Sequence, residues 1–259
     1  MNTDTATQPP PASVHRGDDI CVSTWNINSI KAHLSVLTNY LDARRPDIVM
    51  LQETKTENAG FPFFELNAMG YDAVAVGQKS YNGAAILAKG KIELTLDKLP
   101  NAPDGGDQAR FIETYSPALK SRFISVYVPN GQPSATDSES TERLEYKLAW
   151  LDALTDYARD LTNRDDAFVI GGDFNVIERD TDVFDPVAFK NSAFTVYPVR
   201  DRFRAFYLTG LTNALRRFAP EGTYSYWDYR GESFKKDNGI LLDHLFLSPV
   251  WADRLISAT

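Results

Sequence analysis

A chain of 259 residues, 43% hydrophobic and 24% charged, carries enough apolar material for a sizeable core and excludes a disordered or fibrous polypeptide. Its formal net charge of -8 excludes a protein that holds nucleic acid by bulk positive charge. Phosphate chemistry stays open, because carboxylates gathered at a cation repel phosphate only until that cation binds.

Residues 1–18 are polar and proline-rich and lack the apolar stretch of a signal peptide, so a frayed tail is expected, followed by one domain over 19–259. No run approaches the roughly 20 apolar residues of a membrane span. The single cysteine, Cys21, excludes an internal disulfide framework and reads as a small core residue in Ile20-Cys21-Val22. A cytoplasmic protein, monomeric by default, is the expectation.

A short apolar run at 20–25 predicts a strand that ends in Trp25-Asn26-Ile27-Asn28. Ile30, Leu34, Leu37 and Leu41 then recur at helical spacing until Arg44-Arg45-Pro46-Asp47 breaks the pattern. Residues 48–51 read as a buried strand ending at Gln52-Glu53, and further strands are expected at 71–76, 84–88, 92–96 and 123–128. A polar stretch at 134–141 precedes a helix whose face carries Leu144, Leu148, Leu151, Leu154 and Leu161. Residues 168–170 form another buried strand that delivers Gly171-Gly172-Asp173-Phe174-Asn175. The aromatic-rich region 176–235 reads as irregular, and 240–247 as a last strand. Helices interleaved with strands at both ends of the chain, and strand after strand between, predict a mixed-sheet α/β protein.

Several of these strands end in a carboxylate or carboxamide: Asn26 and Asn28, Gln52-Glu53, Asn130, and Asp173 with Asn175. Asp243 stands inside the last strand, between Leu242 and Leu245. A buried carboxylate without a partner costs several kcal/mol, so these groups should meet a cation or one another. Taken singly, Glu53 reads as a solvated strand end and Gly-Gly-Asp-Phe-Asn as a turn; their repetition at successive strand ends favours a shared site. Hard oxygen donors, with no cysteine or histidine pair beside them, point to Mg²⁺ or Mn²⁺.

Trp25-Asn26-Ile27-Asn28-Ser29-Ile30, Leu51-Gln52-Glu53-Thr54-Lys55 and Tyr127-Val128-Pro129-Asn130-Gly131 occur in this order, followed by Gly172-Asp173-Phe174-Asn175 and Leu242-Asp243-His244. Between them lie Gly77-Gln78-Lys79-Ser80-Tyr81-Asn82-Gly83, Arg143-Leu144-Glu145-Tyr146-Lys147 and Tyr226-Trp227-Asp228-Tyr229-Arg230. This series resembles the exodeoxyribonuclease III and abasic-site endonuclease family from about residue 20 to 252. Any one motif is weak, but their common order is highly specific.

The resemblance implies a four-layer sandwich, two mixed β-sheets face to face with helices outside. It implies Mg²⁺ (or Mn²⁺) held by Glu53 and Asn26, with Asp173 and Asn175 beside it. Asp173 would orient or deprotonate the attacking water, Asn175 would contact the scissile phosphate, Tyr127 would stabilise developing charge, and Asp243 would support the metal or a histidine. Asn28, Lys55, Asn130 and Trp227 would face DNA, and Lys55, Lys79, Arg143 and Lys147 would pair with its phosphates. The implied activity is cleavage of duplex DNA at abasic sites and 3′ ends. Related phosphodiesterases act instead on RNA, inositol phosphates or phospholipids, and a silent DNA-binding form is the other alternative.

Three departures stand out. The Ser-Asp-His-x-Pro-Val segment with which the family ends is absent from these 259 residues, so a C-terminally incomplete catalytic domain, an uncovered sheet edge and reduced activity are expected. His15 and His33 read as solvated, and His244 should face away from Asp243, since neighbouring strand residues point to opposite faces. Leu241 stands where many relatives have arginine, and Asn28 where some have aspartate.

Overall fold

A computed structural model of the chain describes residues 19–132, 140–228 and 231–259. The expected tail at 1–18, most of the polar stretch 134–141, Tyr229, Arg230 and His15 lie outside the described residues. The chain opens with β1 (Val22–Asn26), α1 (Ile30–Arg44) and β2 (Ile48–Gln52). The α2 helix (Phe63–Ala68) precedes β3 (Asp72–Val76), β4 (Ala84–Ala88), β5 (Glu93–Leu96), β6 (Phe111–Ser116) and β7 (Ser121–Tyr127). Then come α3 (Ser140–Asn163), β8 (Phe168–Asp173), α4 (Tyr197–Tyr207), β9 (Thr212–Asn213) and α5 (Ala214–Phe218). Last are β10 (Tyr226–Trp227), β11 (Gly239–Ile240), β12 (Asp243–Leu247) and α6 (Pro249–Ala252).

Local chemistry sets the first helix. Ser29 Oγ accepts from the Ala32 amide at 3.3 Å to cap α1, and Arg45, left-handed at φ 47°, ends it ahead of Pro46. The buried face of Ile30, Leu37 and Leu41 lies on Val49 and Leu51 of β2 and Ala85 and Leu87 of β4.

Two mixed sheets result. One has the order β1-β2-β4-β3, with β1 and β2 parallel; the other runs β5-β6-β7-β8-β12-β9, with β7 and β8 parallel. Ile48, Met50, Ile86, Ile112, Phe123, Val169 and Leu247 fill the space between them. Helix α1 covers the outer face of the first sheet, and α3 and α4 cover the second, giving the four layers expected. Gln52 stitches the sheets: its Nε2 donates to Ser125 Oγ at 2.9 Å, and Ser125 Oγ donates to Leu51 O at 2.9 Å. Among the described residues β1 has no strand on its outer side, while β12 is covered by β9 and residues 251–258 fold back onto the inter-sheet core.

Three stretches of the chain depart from the sequence expectation. The region 176–235, read as irregular, contains α4 and α5; Val199, Phe203 and Phe206 are all buried at helical spacing. Strand β6 was hidden because Glu113-Thr114 interrupts its apolar run, yet both are fully buried, Glu113 bonded to Arg122, Thr95 and Tyr157. The run 240–247 divides into β11 and β12 where the amides of Leu241 and Leu242 turn to Asp182 O and Ser225 Oγ. Cys21 is half-buried rather than in the core, and burial pushes its thiol up, so it stays protonated.

His244 lies in an aromatic cluster with Phe174, Phe203 and Phe246. Asn213 Oδ1 caps α5, so its Nδ2 donates to His244 Nδ1 at 3.1 Å and the ring proton falls on Nε2, which has no partner. Burial lowers the imidazole from its ordinary 6.5 to about 3. The unfolded chain therefore binds a proton near pH 6.5 that the folded chain refuses, and stability present above that pH drains away as pH falls toward 3. Urea denaturation at about pH 7.5 and about pH 5 should show this residue contributing about 2 kcal/mol of acid destabilisation, a component missing from His244→Phe. An unchanged pH dependence in that variant would contradict the assignment.

Candidate active site

The parallel register of β1 and β2 sets Asn26 opposite Gln52, which brings Glu53 beside it. Asn26 Nδ2 donates to Glu53 Oε1 at 2.8 Å and to Asp173 Oδ2 at 2.9 Å. Asn26 Oδ1 accepts from the Asn28 amide at 3.2 Å. Lys55 Nζ sits 2.8 Å from Glu53 Oε2 and also donates to Asn28 Oδ1. The backbone here is strained: Asn28, Ser29, Glu53 and Lys55 have φ of 46°, 91°, 52° and 52°. Each such conformation costs on the order of 1–3 kcal/mol and persists only where neighbours over-determine it. The amides of Ser29 and Ile30 donate to Glu53 O and Thr54 O, and those of Thr54 and Lys55 to Gly83 O and Asn82 O, supplying that restraint.

From the second sheet, β8 carries Asp173 past β7 at very close range. A Cβ at Gly172 would lie 1.9 Å from Val126 O, so only glycine permits the approach. Asp173 Oδ1 accepts from the Asn175 amide at 2.9 Å, and β12 places Asp243 directly opposite Asp173. Asn175, at φ 50°, donates Nδ2 to Val128 O at 2.9 Å and presents Oδ1 to Asn130 Nδ2 at 3.5 Å. The Tyr127 hydroxyl donates to Glu53, with the Arg110 guanidinium 4.7 Å above its ring.

These contacts divide the acids. Burial pushes the Glu53 carboxyl up, but hydrogen bonds from Asn26, Lys55 and Tyr127 and the Lys55 charge outweigh it and hold it below its ordinary value. Asp173 is raised by burial and by the Glu53 charge, against hydrogen bonds from Asn26 and the Asn175 amide. Asp243 is raised well above the carboxylate range by burial and then by Asp173. Burial and the Glu53 charge also raise the Tyr127 hydroxyl, so it remains a donor. Asp243, directly opposite Asp173, therefore stays protonated to higher pH than an ordinary carboxylate. Asp243 as a whole is half-buried, yet its Oδ1 is closed off from solvent and has no donor.

Asn26, Glu53, Tyr127, Asp173, Asn175 and Asp243 thus converge, with Asn28, Lys55 and Asn130 hydrogen-bonded at their margin. A cleft of about 790 Å³ leads from Tyr127, Asn130, Asp173 and Asn175 to an apolar wall of Phe184, Phe189, Phe194, Ile240 and Leu242. A second, of about 670 Å³, runs along β1 past Asn28, Trp227, Phe234 and Asp243. Trp227 belongs to this second cleft, its Nε1 donating to Asp237 Oδ1 at 3.1 Å.

Two sequence expectations are corrected. Lys147, expected to meet DNA phosphates, is fully buried, whereas Lys79 and Arg143 are exposed. His33 is half-buried rather than solvated and binds Ile27 O through Nδ1 at 2.7 Å. His244 does face the aromatic core, away from the site.

Sequence reasoning missed Ser225, Arg110 and the phenylalanine wall. Ser225 Oγ donates to Asp243 Oδ2 at 2.7 Å and accepts from the amides of Leu242 and Asp243 at 3.1 and 3.0 Å. Nothing marks it in the chain, because it follows a turn far from Asp243. The phenylalanines had a signal in their density, Phe184, Phe189 and Phe194, within a stretch otherwise read as irregular.

Two mixed sheets whose facing strand ends gather carboxylates, carboxamides and a protonated tyrosine define a phosphoester-hydrolysing α/β sandwich. The chain belongs to the endonuclease/exonuclease/phosphatase family, which it matches over residues 23–257. It is 26% identical over 241 residues to an exodeoxyribonuclease of Bacillus subtilis, covering 91% of each chain. Among solved structures it resembles the 3′-5′ exonuclease NExo of Neisseria meningitidis, with TM-score 0.82 and 34% identity over 92% of this chain and 90% of that one. An AP endonuclease of Archaeoglobus fulgidus gives TM-score 0.83 and 29% identity over 91% of this chain and 89% of that one. Within its family the chain is a nuclease of the exodeoxyribonuclease III type, as its strand-end motifs implied.

Ser225→Ala removes the donor to Asp243 and strands two amides. Urea denaturation should show a loss of about 1–3 kcal/mol. A loss below a few tenths would mean that water replaces the hydroxyl.

Proposed function

We propose that the chain is a Mg²⁺-dependent DNA-repair phosphodiesterase, with Mn²⁺ able to replace Mg²⁺, that nicks duplex DNA at abasic sites and trims 3′ ends. The observation that carries this reading is the Asn26 amide bound to both Glu53 and Asp173, beside a protonated Tyr127, at the mouth of an apolar cleft. The named activities of the exodeoxyribonuclease and AP endonuclease relatives support it.

The donor set suits such a cation. Glu53 is ionised and offers hard oxygens, and the Lys55 ammonium on Oε2 marks the spot as favourable to positive charge. Among the described residues no three His, Cys, Asp or Glu side chains form a ready-made cage, but Mg²⁺ needs only one or two carboxylates and keeps several waters. Bound by Glu53 and Asn26, it would polarise a phosphoryl oxygen and neutralise developing charge.

The protein's own groups divide the remaining tasks. Asp173, its two oxygens fixed by Asn26 and the Asn175 amide, orients the attacking water and accepts its proton. Burial and the Glu53 charge raise its carboxyl, which makes it a better base than an ordinary carboxylate. Tyr127 donates to the phosphate oxygen that gains charge. Asn130 and Asn175 flank the phosphate, while Asn28, Lys55 and Trp227 face the DNA backbone. A base-free sugar, unstacked and unpaired, costs little to extrude and packs against Phe184, Phe194 and Leu242. With a net charge of -8, contact with the duplex depends on local cations such as Lys79, and the protein works as a monomer.

One observation favours a second reading, in which these 259 residues bind DNA but cleave slowly: Asp243 Oδ1 is buried without a donor. Tight binding of an abasic duplex without nicking would select it.

On an abasic duplex with Mg²⁺, purified protein should nick at the lesion, and EDTA should abolish this. Glu53→Gln and Asp173→Asn should each lower kcat by about 10²–10⁴-fold. Full nicking by Asp173→Asn would remove Asp173 from the role of base.

A further inference from the structure

Lys147 lies on α3 with 0% of its surface exposed. Its ammonium has three hydrogens to donate, and three main-chain carbonyls accept them. Nζ is 3.1 Å from Asn130 O, 2.5 Å from Asn175 O and 2.8 Å from Ala193 O. The charge also lies 5.3 Å from the centre of the Phe194 ring. None of the carbonyls is ionised: burial lowers the ammonium from its ordinary 10.5 to about 7, and the Asp173 charge opposes that fall from across the floor of the cleft. Burying an ammonium on carbonyls alone is unfavourable, so a merely structural filler at this position would more readily be apolar.

The three carbonyls belong to three segments that are far apart in the chain. One follows β7 and carries Asn130, the next follows β8 and carries Asn175, and the third leads toward α4 and carries Phe194. All three side chains line the same cleft. The fit is close: at Gly131, with φ +75°, a Cβ would come 2.7 Å from Lys147 Cδ and 3.4 Å from the Ala193 Cβ.

We propose that Lys147 is a positioning residue, a single buried ammonium that locks the polar floor (Asn130, Asn175) and the apolar wall (Phe194) of the cleft into one register. It touches neither substrate nor metal. Its effect passes through the three main-chain segments it holds, and a misplacement of about 1 Å in such a site lowers turnover by roughly 100-fold.

Two measurements on Lys147→Met and Lys147→Arg test this. The kinetic arm rests on the nuclease reading above; the exchange arm needs no substrate, so the two can fail separately. In Lys147→Met, amide hydrogen exchange should quicken together at 128–132, 174–177 and 191–196 while β4 keeps its protection. On an abasic duplex, kcat should fall about 100-fold with KM within about threefold of the parent, and Lys147→Arg should recover at least about tenfold. Exchange that rises evenly across the protein, kcat near the parent value, or an arginine variant no better than methionine would each overturn the proposal. Should Lys147→Met fail to fold, Gly131→Ala takes its place: its added Cβ meets Lys147 Cδ and the Ala193 Cβ of the third segment, so 174–177 is the stretch that reports on Lys147. Quickened exchange at 174–177 in that variant supports transmission through Lys147, and unchanged exchange there overturns it.

Discussion

The Asn26 amide gives both of its hydrogens to carboxylates, one on each sheet. Glu53 belongs to the end of the first sheet and Asp173 to the end of the second, and the Asn26 nitrogen is within 2.9 Å of both. That bond fixes how far the sheets can slide past one another at the end where chemistry is proposed. It also sorts the acids electrostatically: Glu53 collects donors and stays ionised, while the facing Asp173 and Asp243 are both raised above the ordinary carboxylate value. One carboxylate suits a cation and the other a proton, and the same amide serves both.

Behind this, the packing is conservative. Aliphatic side chains between the sheets, together with the Gln52–Ser125 bond, set the separation, and Gly172 lets β8 run hard against β7. Lys147 performs a related task one layer deeper, adding three bonds to those that Val128 and Ile177 already make between the same segments. The site is therefore built by parts of the fold that never reach the cleft. Activity should respond to substitutions far from any substrate atom.

Much of this was legible in the chain. Apolar runs ending in Asn26, Glu53, Asp173 and Asn175 revealed both the strands and the polar floor, because side chains that follow a buried strand have few places to go. Asp243 stood out as a charge among leucines. What stayed hidden depended on pairing across long sequence distances. Ser225 acquires meaning only when β10 brings it to Asp243, and Glu113 disguised β6 until Arg122, Tyr157 and Thr95 were in place around it. Lys147 misled for a physical reason: lysine is a surface residue almost everywhere, and only three inward-facing carbonyls reverse that preference.

The left-handed backbone at Asn28, Ser29, Glu53 and Lys55 bears on how the protein tolerates change. Glycine at such positions would relieve their backbone strain. Here it would remove the side chains that bind one another and free a backbone now held by carbonyls of adjoining segments. Selection for heat resistance and selection for turnover thus pull these residues in opposite directions. The segment from β1 to α1 and its counterpart after β2 is where a hardier variant would be expected to lose its speed.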